Sequence, residues 1–336
     1  MINFTSMRLT IFSILLVVAC FGIAGFSTFY SPRENDNPAT LGEKLFNEKI
    51  LSLDSSLSCA SCHKPAFAFA DTMAFSIGIG GKLTKRNTPS VLNMKNRPYY
   101  FWDGRSASLK EQALMPISHP DEMGLPIQDA IIRLNNSPLY SALFKKIYNQ
   151  TVTAQNIGAA FAAYENTLET IDSKFDDWSN NTKKLSASEE RGRQVFISEK
   201  AKCFDCHFRE DFTNDDFKNI GLFNAKDLND SGRFLITKQK KDLGKFKTPG
   251  LRNIAVTAPY MHNGMFATLE EVVDYYNNPK KIVPDAINID PSLQQPLGLT
   301  EKEKKDLIAF LKTLTDKKFA KREASMRNQL TSIIHK

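Results

Sequence analysis

The sequence predicts an all-α protein of two similar modules, with long loops and little or no sheet. Three observations carry this. The pattern C-x-x-C-H occurs twice, at Cys59-Ala-Ser-Cys62-His63 and Cys203-Phe-Asp-Cys206-His207, 144 residues apart. Each copy follows a similar helix signal, Gly42-x-x-Leu45-Phe46 and Gly192-x-x-Val195-Phe196, a weak repeat at domain scale. No convincing run of alternating apolar and polar residues marks strands. A length of 336 residues suits two ordinary domains with extensions.

C-x-x-C-H is the attachment pattern of a c-type haem. Two thiols add across the two vinyl groups on one edge of the porphyrin, and the two residues between them form the turn that lets both sulfurs reach. The histidine that follows becomes an axial ligand of the iron. A zinc ribbon would need two nearby C-x-x-C units and no adjacent histidine. A thioredoxin-like site would sit beside a βαβ pattern, which is not seen here. The expected cofactors are therefore two covalently bound haem c groups, on Cys59, Cys62 and His63 and on Cys203, Cys206 and His207. Four of the five cysteines are then used, so covalent haems and not disulfides staple the chain.

Residues 1–30 contain an uncharged apolar run, Leu9 to Tyr30, preceded by Arg8. It is long enough to span a membrane and also reads as an export signal. Val17-Val18-Ala19-Cys20 resembles a lipoprotein signal with a lipidated Cys20, but the apolar run continues past it and favours an uncleaved inner-membrane anchor. Each reading puts the body of the protein in an extracytoplasmic, periplasmic compartment. Residues 31–39 are a polar linker, and Thr40-Leu41-Gly42-Glu43 reads as a capping box that opens the first helix. From Lys64 to Pro98, many glycines and prolines predict a long loop packed over a haem. Ile157, Ala160, Phe161, Tyr164 and Leu168 recur at helical spacing and predict the closing helix of a first domain, 40–175. Residues 172–185 read as the link to a second domain, 185–315. That domain opens at the capping box Ser186-Ala-Ser-Glu189 and closes with a helix from Thr300-Glu-Lys-Glu303, burying Leu307, Phe310, Leu311 and Leu314. A closing helix of this kind is what a cytochrome c-like module carries. Residues 316–336 are a charged tail, free or folded back on the first domain. The net charge of +7 favours an acidic electron donor or a membrane surface. No basic cluster interleaved with aromatics points to nucleic acid.

Between the haem motifs lie Ser76-Ile-Gly-Ile-Gly80, Arg86-Asn87-Thr-Pro89, Phe101-Trp-Asp-Gly-Arg105, Leu109-Lys-Glu-Gln112 and Glu122-Met123. Leu251-Arg-Asn253 and Thr257-Ala-Pro-Tyr260 follow the second motif. In this order, over about residues 40–315, the chain resembles the bacterial dihaem cytochrome c peroxidase and MauG superfamily. The resemblance implies a peroxide-reducing haem on His63 and an electron-entry haem on His207, with Trp102 relaying between them. It implies that Gln112 and Glu122 lie over the peroxidatic iron, and that Asn87, Thr257 and Pro259 hold a calcium ion, the last two through backbone oxygens. Oxygen ligands suit that hard cation. Glu122 would move a proton from the inner to the outer peroxide oxygen, and Gln112 would donate a hydrogen bond. His119, His262 and His335 read as structural, secondary or solvated residues.

Two positions depart from the peroxidases that need reductive activation. Their loop histidine, which blocks the peroxidatic iron, is replaced by Ile79, which cannot ligate. The methionine ligand of their second iron corresponds to Tyr276, as in MauG-like members, with Met261 and Met265 as rival ligands. A hard phenolate would lower the potential of that iron. The expected function is reduction of hydrogen peroxide to water with electrons from a small cytochrome c or similar donor, as in a cytochrome-c peroxidase, without reductive activation. The alternative is a MauG-type peroxide-dependent oxidase acting on residues of a partner protein. A plain electron carrier would need no polar pocket such as Gln112 and Glu122 imply. A homodimer is compatible with the sequence.

Overall fold

The computed structural model describes residues 33–320. The predicted anchor or export segment and Cys20 lie outside them, as does most of the charged tail. Among the described residues no helix is long and apolar enough to cross a membrane.

The chain is mostly helical. The first half carries α1 (Pro38–Asn47), α2 (Cys59–Cys62), α3 (Leu109–Gln112), α4 (Met115–Ser118), α5 (Ile127–Asn136), α6 (Pro138–Tyr148) and α7 (Ala154–Glu165). The second carries α8 (Lys174–Ser179), α9 (Ala187–Phe196), α10 (Phe234–Thr237), α11 (Leu269–Asn277), α12 (Pro279–Ile282) and α13 (Glu301–Lys312). Two short strands, β1 (Phe217–Lys218) and β2 (Phe246–Lys247), pair antiparallel, Phe217 opposite Lys247. The stretch from Lys64 to Pro98 is a long loop with isolated 3₁₀ turns, as its glycines and prolines predict.

Two apolar cores organise the molecule. The first gathers Leu41, Leu45, Phe46, Phe144, Ile157 and Phe161 around the crossing of α1 with α7. The second gathers Phe196, Phe212, Tyr275, Leu307, Phe310 and Leu314 around the crossing of α9 with α13. The repeated glycines explain both crossings. A Cβ on Gly42 would lie 2.0 Å from the Ala160 carbonyl oxygen, and one on Gly192 would lie 1.9 Å from that of Asp306. Each pair can touch backbone to backbone only because one helix has no side chain at that point.

Three expected boundaries move. The first helix starts at Pro38, because Asn37, whose Oδ1 accepts from the Ala39 and Thr40 amides, caps it; Thr40 only reciprocates, from the third helical position. The helix through Ile157 stops at Glu165, and Leu168 packs on the first core from the following turn. The stretch 172–185 contains α8, capped by Ser173, whose Phe175 ring packs on Phe212 and Phe310 of the second core. The described part of the tail folds back: the Lys317 amide donates to the Asp172 carbonyl (3.0 Å), and Phe319 joins the first core.

Candidate haem sites and the seam between them

At the first C-x-x-C-H, a single helical turn, α2, separates the two cysteines, and Ser58 caps it. The His63 Nδ1 lies 3.1 Å from the carbonyl oxygens of both Phe69 and Pro89. At the second, a 3₁₀ turn spans Cys203–Asp205, and the His207 Nδ1 lies 2.8 Å from the Phe212 carbonyl, with a further backbone bond to Pro249. These carbonyls require a proton on Nδ1 and so leave Nε2 as the free donor atom on each ring. Burial lowers the pKa of both imidazoles, His207 to about 4, which holds them in the neutral, ligating form. Burial also raises the thiols, Cys203 to about 12. Cys203, Cys206 and His207 open on a mainly apolar cavity of about 300 Å³. Paired thiols, a tautomer-locked imidazole and an apolar cavity fit a covalently held haem, with His207 as its axial ligand. The His63 site presents the same donor set.

Tyr276 and Met261 reach this cavity; Met265 is exposed, its sulfur 3.6 Å from Asn263 Nδ2. The apolar surroundings raise the Tyr276 phenol, so only a strong cation beside it could make it a phenolate. The neighbouring Tyr275 is core, its hydroxyl donating to the Ile220 carbonyl (2.7 Å).

Over the first site, the turn 119–124 presents Glu122. Burial mainly raises Cys59 and Cys62, and the nearby Glu122 charge adds to the rise. Burial raises the Glu122 pKa, while His119 and Arg105 offset part of the rise. Gln112, half-buried, ends α3, which packs on α7. The loop carrying Ile79 is fastened to the same turn. The Ile79 amide donates to the Glu122 carbonyl (2.7 Å), Lys82 Nζ reaches the Pro120 carbonyl (3.1 Å), and Ile79 is buried against Gly124.

Trp102 lies where the halves meet. Its Nε1 donates to the Asn87 carbonyl (2.8 Å), and its own carbonyl accepts from the Lys247 amide (2.7 Å). The reverse contact also exists: the Asn87 amide donates to the His262 carbonyl (2.7 Å). Asn87 pairs with Lys247, and Trp102 with His262, through one shift of 160 residues. The exchange is therefore reciprocal, as in a two-fold interface. The same shift relates Thr88-Pro89-x-x-x-Asn93 to Thr248-Pro249-x-x-x-Asn253, and Pro89 and Pro249 supply the carbonyls that orient the two histidines. These prolines were missed from sequence, and the repeated T-P-x-x-x-N would have found them. Asn87, Thr257 and Pro259 line one cavity with Trp102. Among the described residues no group of three or more His, Cys, Asp or Glu could hold a metal ion, so a cation there would rely on amide and backbone oxygens.

Arg86 clamps the seam, donating to Asp103 (2.6 Å) and, through Nε and Nη2, to Asp230 (2.6 and 2.9 Å). Arg233 returns the contact, donating to the carbonyls of Asp103 and Gly104 (both 2.8 Å).

The comparisons agree with this geometry. Residues 36–184 match the family model described as di-haem cytochrome c peroxidase. The methylamine utilization protein MauG of Methylorubrum extorquens is 35% identical over 291 residues, covering 84% of this chain and 81% of that protein. The cytochrome c551 peroxidase of Nitrosomonas europaea is 34% identical, covering 84% and 81%. A solved MauG-like protein associated with microbial copper homeostasis superposes with a TM-score of 0.77 at 31% identity, covering 88% of this chain and 96% of that one. The diheme peroxidase BthA from Burkholderia thailandensis gives 0.76 at 25%, covering 86% and 88%. The haem-attachment motifs, the seam and these likenesses together show that the chain belongs to the di-haem cytochrome c peroxidase and MauG family.

Proposed function

We propose that this protein is an extracytoplasmic peroxidase that reduces hydrogen peroxide to water with electrons from a small cytochrome c or similar donor, and that it needs no reductive activation. The observation that carries the reading is the pinned Ile79 loop. Ile79, an aliphatic residue that cannot ligate iron, sits buried on a loop fastened to the turn of Glu122, and on this reading it leaves the His63 iron open. Each c-type haem, when bound, supplies a redox-active iron. Residues 40–175 and 185–315 are the two cytochrome c-like domains of this reading, supported by an apolar core drawn mainly from each. Glu122, whose pKa burial raises, takes the proton from one peroxide oxygen and returns it to the other. Gln112 donates a hydrogen bond to the substrate. Trp102, bonded to both halves, carries electrons between them, and a calcium ion at Asn87, Thr257 and Pro259 stiffens the seam.

The test is turnover of fully oxidised protein, never exposed to reductant, with hydrogen peroxide and reduced cytochrome c. Immediate turnover supports the proposal, and a dependence on prior reduction overturns it. One rival is a MauG-type oxidase of a partner protein, in which Tyr276, which lines the second cavity, would ligate the second iron. Electron paramagnetic resonance of the oxidised protein and of Tyr276→Phe distinguishes the two. A tyrosinate-ligated second iron together with poor cytochrome c turnover would select the oxidase.

A further inference from the structure

Reducing one hydrogen peroxide to two waters consumes two electrons and two protons. On the peroxidase reading, Glu122 can move a proton between the two oxygens, but the net protons must still arrive from solvent. Glu122 is largely withdrawn from water, with its side chain 28% exposed. The charged groups around it are few. Arg105 faces it from the 101–108 loop, stacked on the Phe101 ring at 3.5 Å and bonded to Asp103, and a guanidinium does not release protons. Asp121, next in the turn, is drawn outward to Lys82 (3.8 Å) and Lys85 (4.0 Å). Cys59 and Cys62 lie on the inner side and are spent on haem attachment. There remains His119. Its Nδ1 is 3.8 Å from Glu122 Oε1, and its side chain is 39% exposed.

The backbone fixes His119 in this position. Its carbonyl accepts from the amides of Glu122 (3.0 Å) and Gly124 (2.9 Å), so the residue begins the turn that presents the glutamate. Its Nδ1 accepts from the Asp121 amide (3.2 Å), which places the proton of the neutral ring on Nε2. A proton taken up from water on Nδ1 displaces the Asp121 amide bond and makes the ring cationic, 3.8 Å from Glu122 Oε1. Releasing that proton to Oε1 restores the neutral ring. We propose that His119 is the proton inlet of the peroxide site, charging in solvent and discharging to Glu122 once per proton consumed. This deepens the peroxidase reading and rests on it.

The test uses the holoprotein and His119→Gln, which keeps a polar side chain and cannot relay. An imidazole changes charge between about pH 5 and 8. Because the protonated ring supplies the proton, wild-type kcat should fall as pH rises. His119→Gln should lose about tenfold or more in kcat, a modest share of what acid–base groups supply, lose the pH limb, and recover with added imidazole. A second readout needs no turnover. The infrared band of the protonated Glu122 carboxyl, titrated in the ferric protein, should shift to a higher midpoint in His119→Gln, because a neighbouring positive charge is lost. Unchanged kcat with the limb intact overturns the inlet. So does a loss of kcat that imidazole does not restore, with the Glu122 titration unmoved. Absence of peroxide turnover in the wild type would instead overturn the peroxidase reading, with the infrared coupling still reporting on the pair.

Discussion

At the scale of single residues, burial decides what each carboxyl can do. Glu122 is raised by burial and held partly back by His119 and Arg105, so it can both take and return a proton. Glu122→Gln should slow the reaction with peroxide by about 10²–10⁴-fold in stopped-flow measurements while leaving the ferric spectrum of the second haem intact. The wild-type rate should increase as pH rises through the raised Glu122 value, since the base form accepts the first proton. Glu165, at the end of α7, is more extreme: burial alone pushes it to about 8, and its Oε2 lacks a hydrogen-bond partner. Because its folded value is raised, its contribution is fully present below the unfolded glutamate value of about 4.3 and is lost as pH rises to about 8. Glu165→Gln should flatten that slope in urea midpoints taken across this range. Little of this was legible in the sequence. C-x-x-C-H names its ligands because covalent reach fixes the spacing. The raised acids depend on burial by residues far along the chain, and Pro89 and Pro249 act through backbone carbonyls that any residue type could supply.

At the scale of elements, two helix crossings hold the cores, and each depends on one missing side chain. Gly42→Ala and Gly192→Ala would each put a Cβ about 2 Å from a backbone oxygen of the facing helix, so the helices must part. Each change should cost about 1–3 kcal/mol or more in denaturant unfolding. An Ala at the equally helical but solvent-facing Lys305 of α13 should cost far less. The amphipathic helices and two of the three capping boxes were legible because their signals are local. The third misled by three residues, since Asn37 and Thr40 are both good caps and Pro38 suits the first helical position after Asn37. The α8 helix went unseen because a six-residue polar segment shows no clear period; only Phe175 meets the core.

At the scale of the whole molecule, the halves are joined by the reciprocal bonds of Trp102 and His262 and by a buried clamp. Burial alone would raise the Asp230 carboxyl, but Arg86 outweighs it and holds it below the usual range. A depressed carboxyl stabilises above its unfolded pKa and loses that contribution as pH falls through the folded value. Arg86→Ala leaves Asp230 without its cation while Arg105 still holds Asp103, and should cost about 1–3 kcal/mol by thermal unfolding and remove this acid-side dependence. The pseudo-symmetry was only partly legible. The haem motifs are 144 residues apart and the seam motifs 160, so no single period spans the chain.

Phe319, almost the last described residue, completes a core whose other members come mainly from residues 41–161. A chain made from its N-terminus therefore cannot complete its first core until the second half has been made. On the haem-attachment reading, thioether formation at Cys59 and Cys62 would belong to that interval. Maturation order would thus be written into the return path of the polypeptide: porphyrin first, closure last.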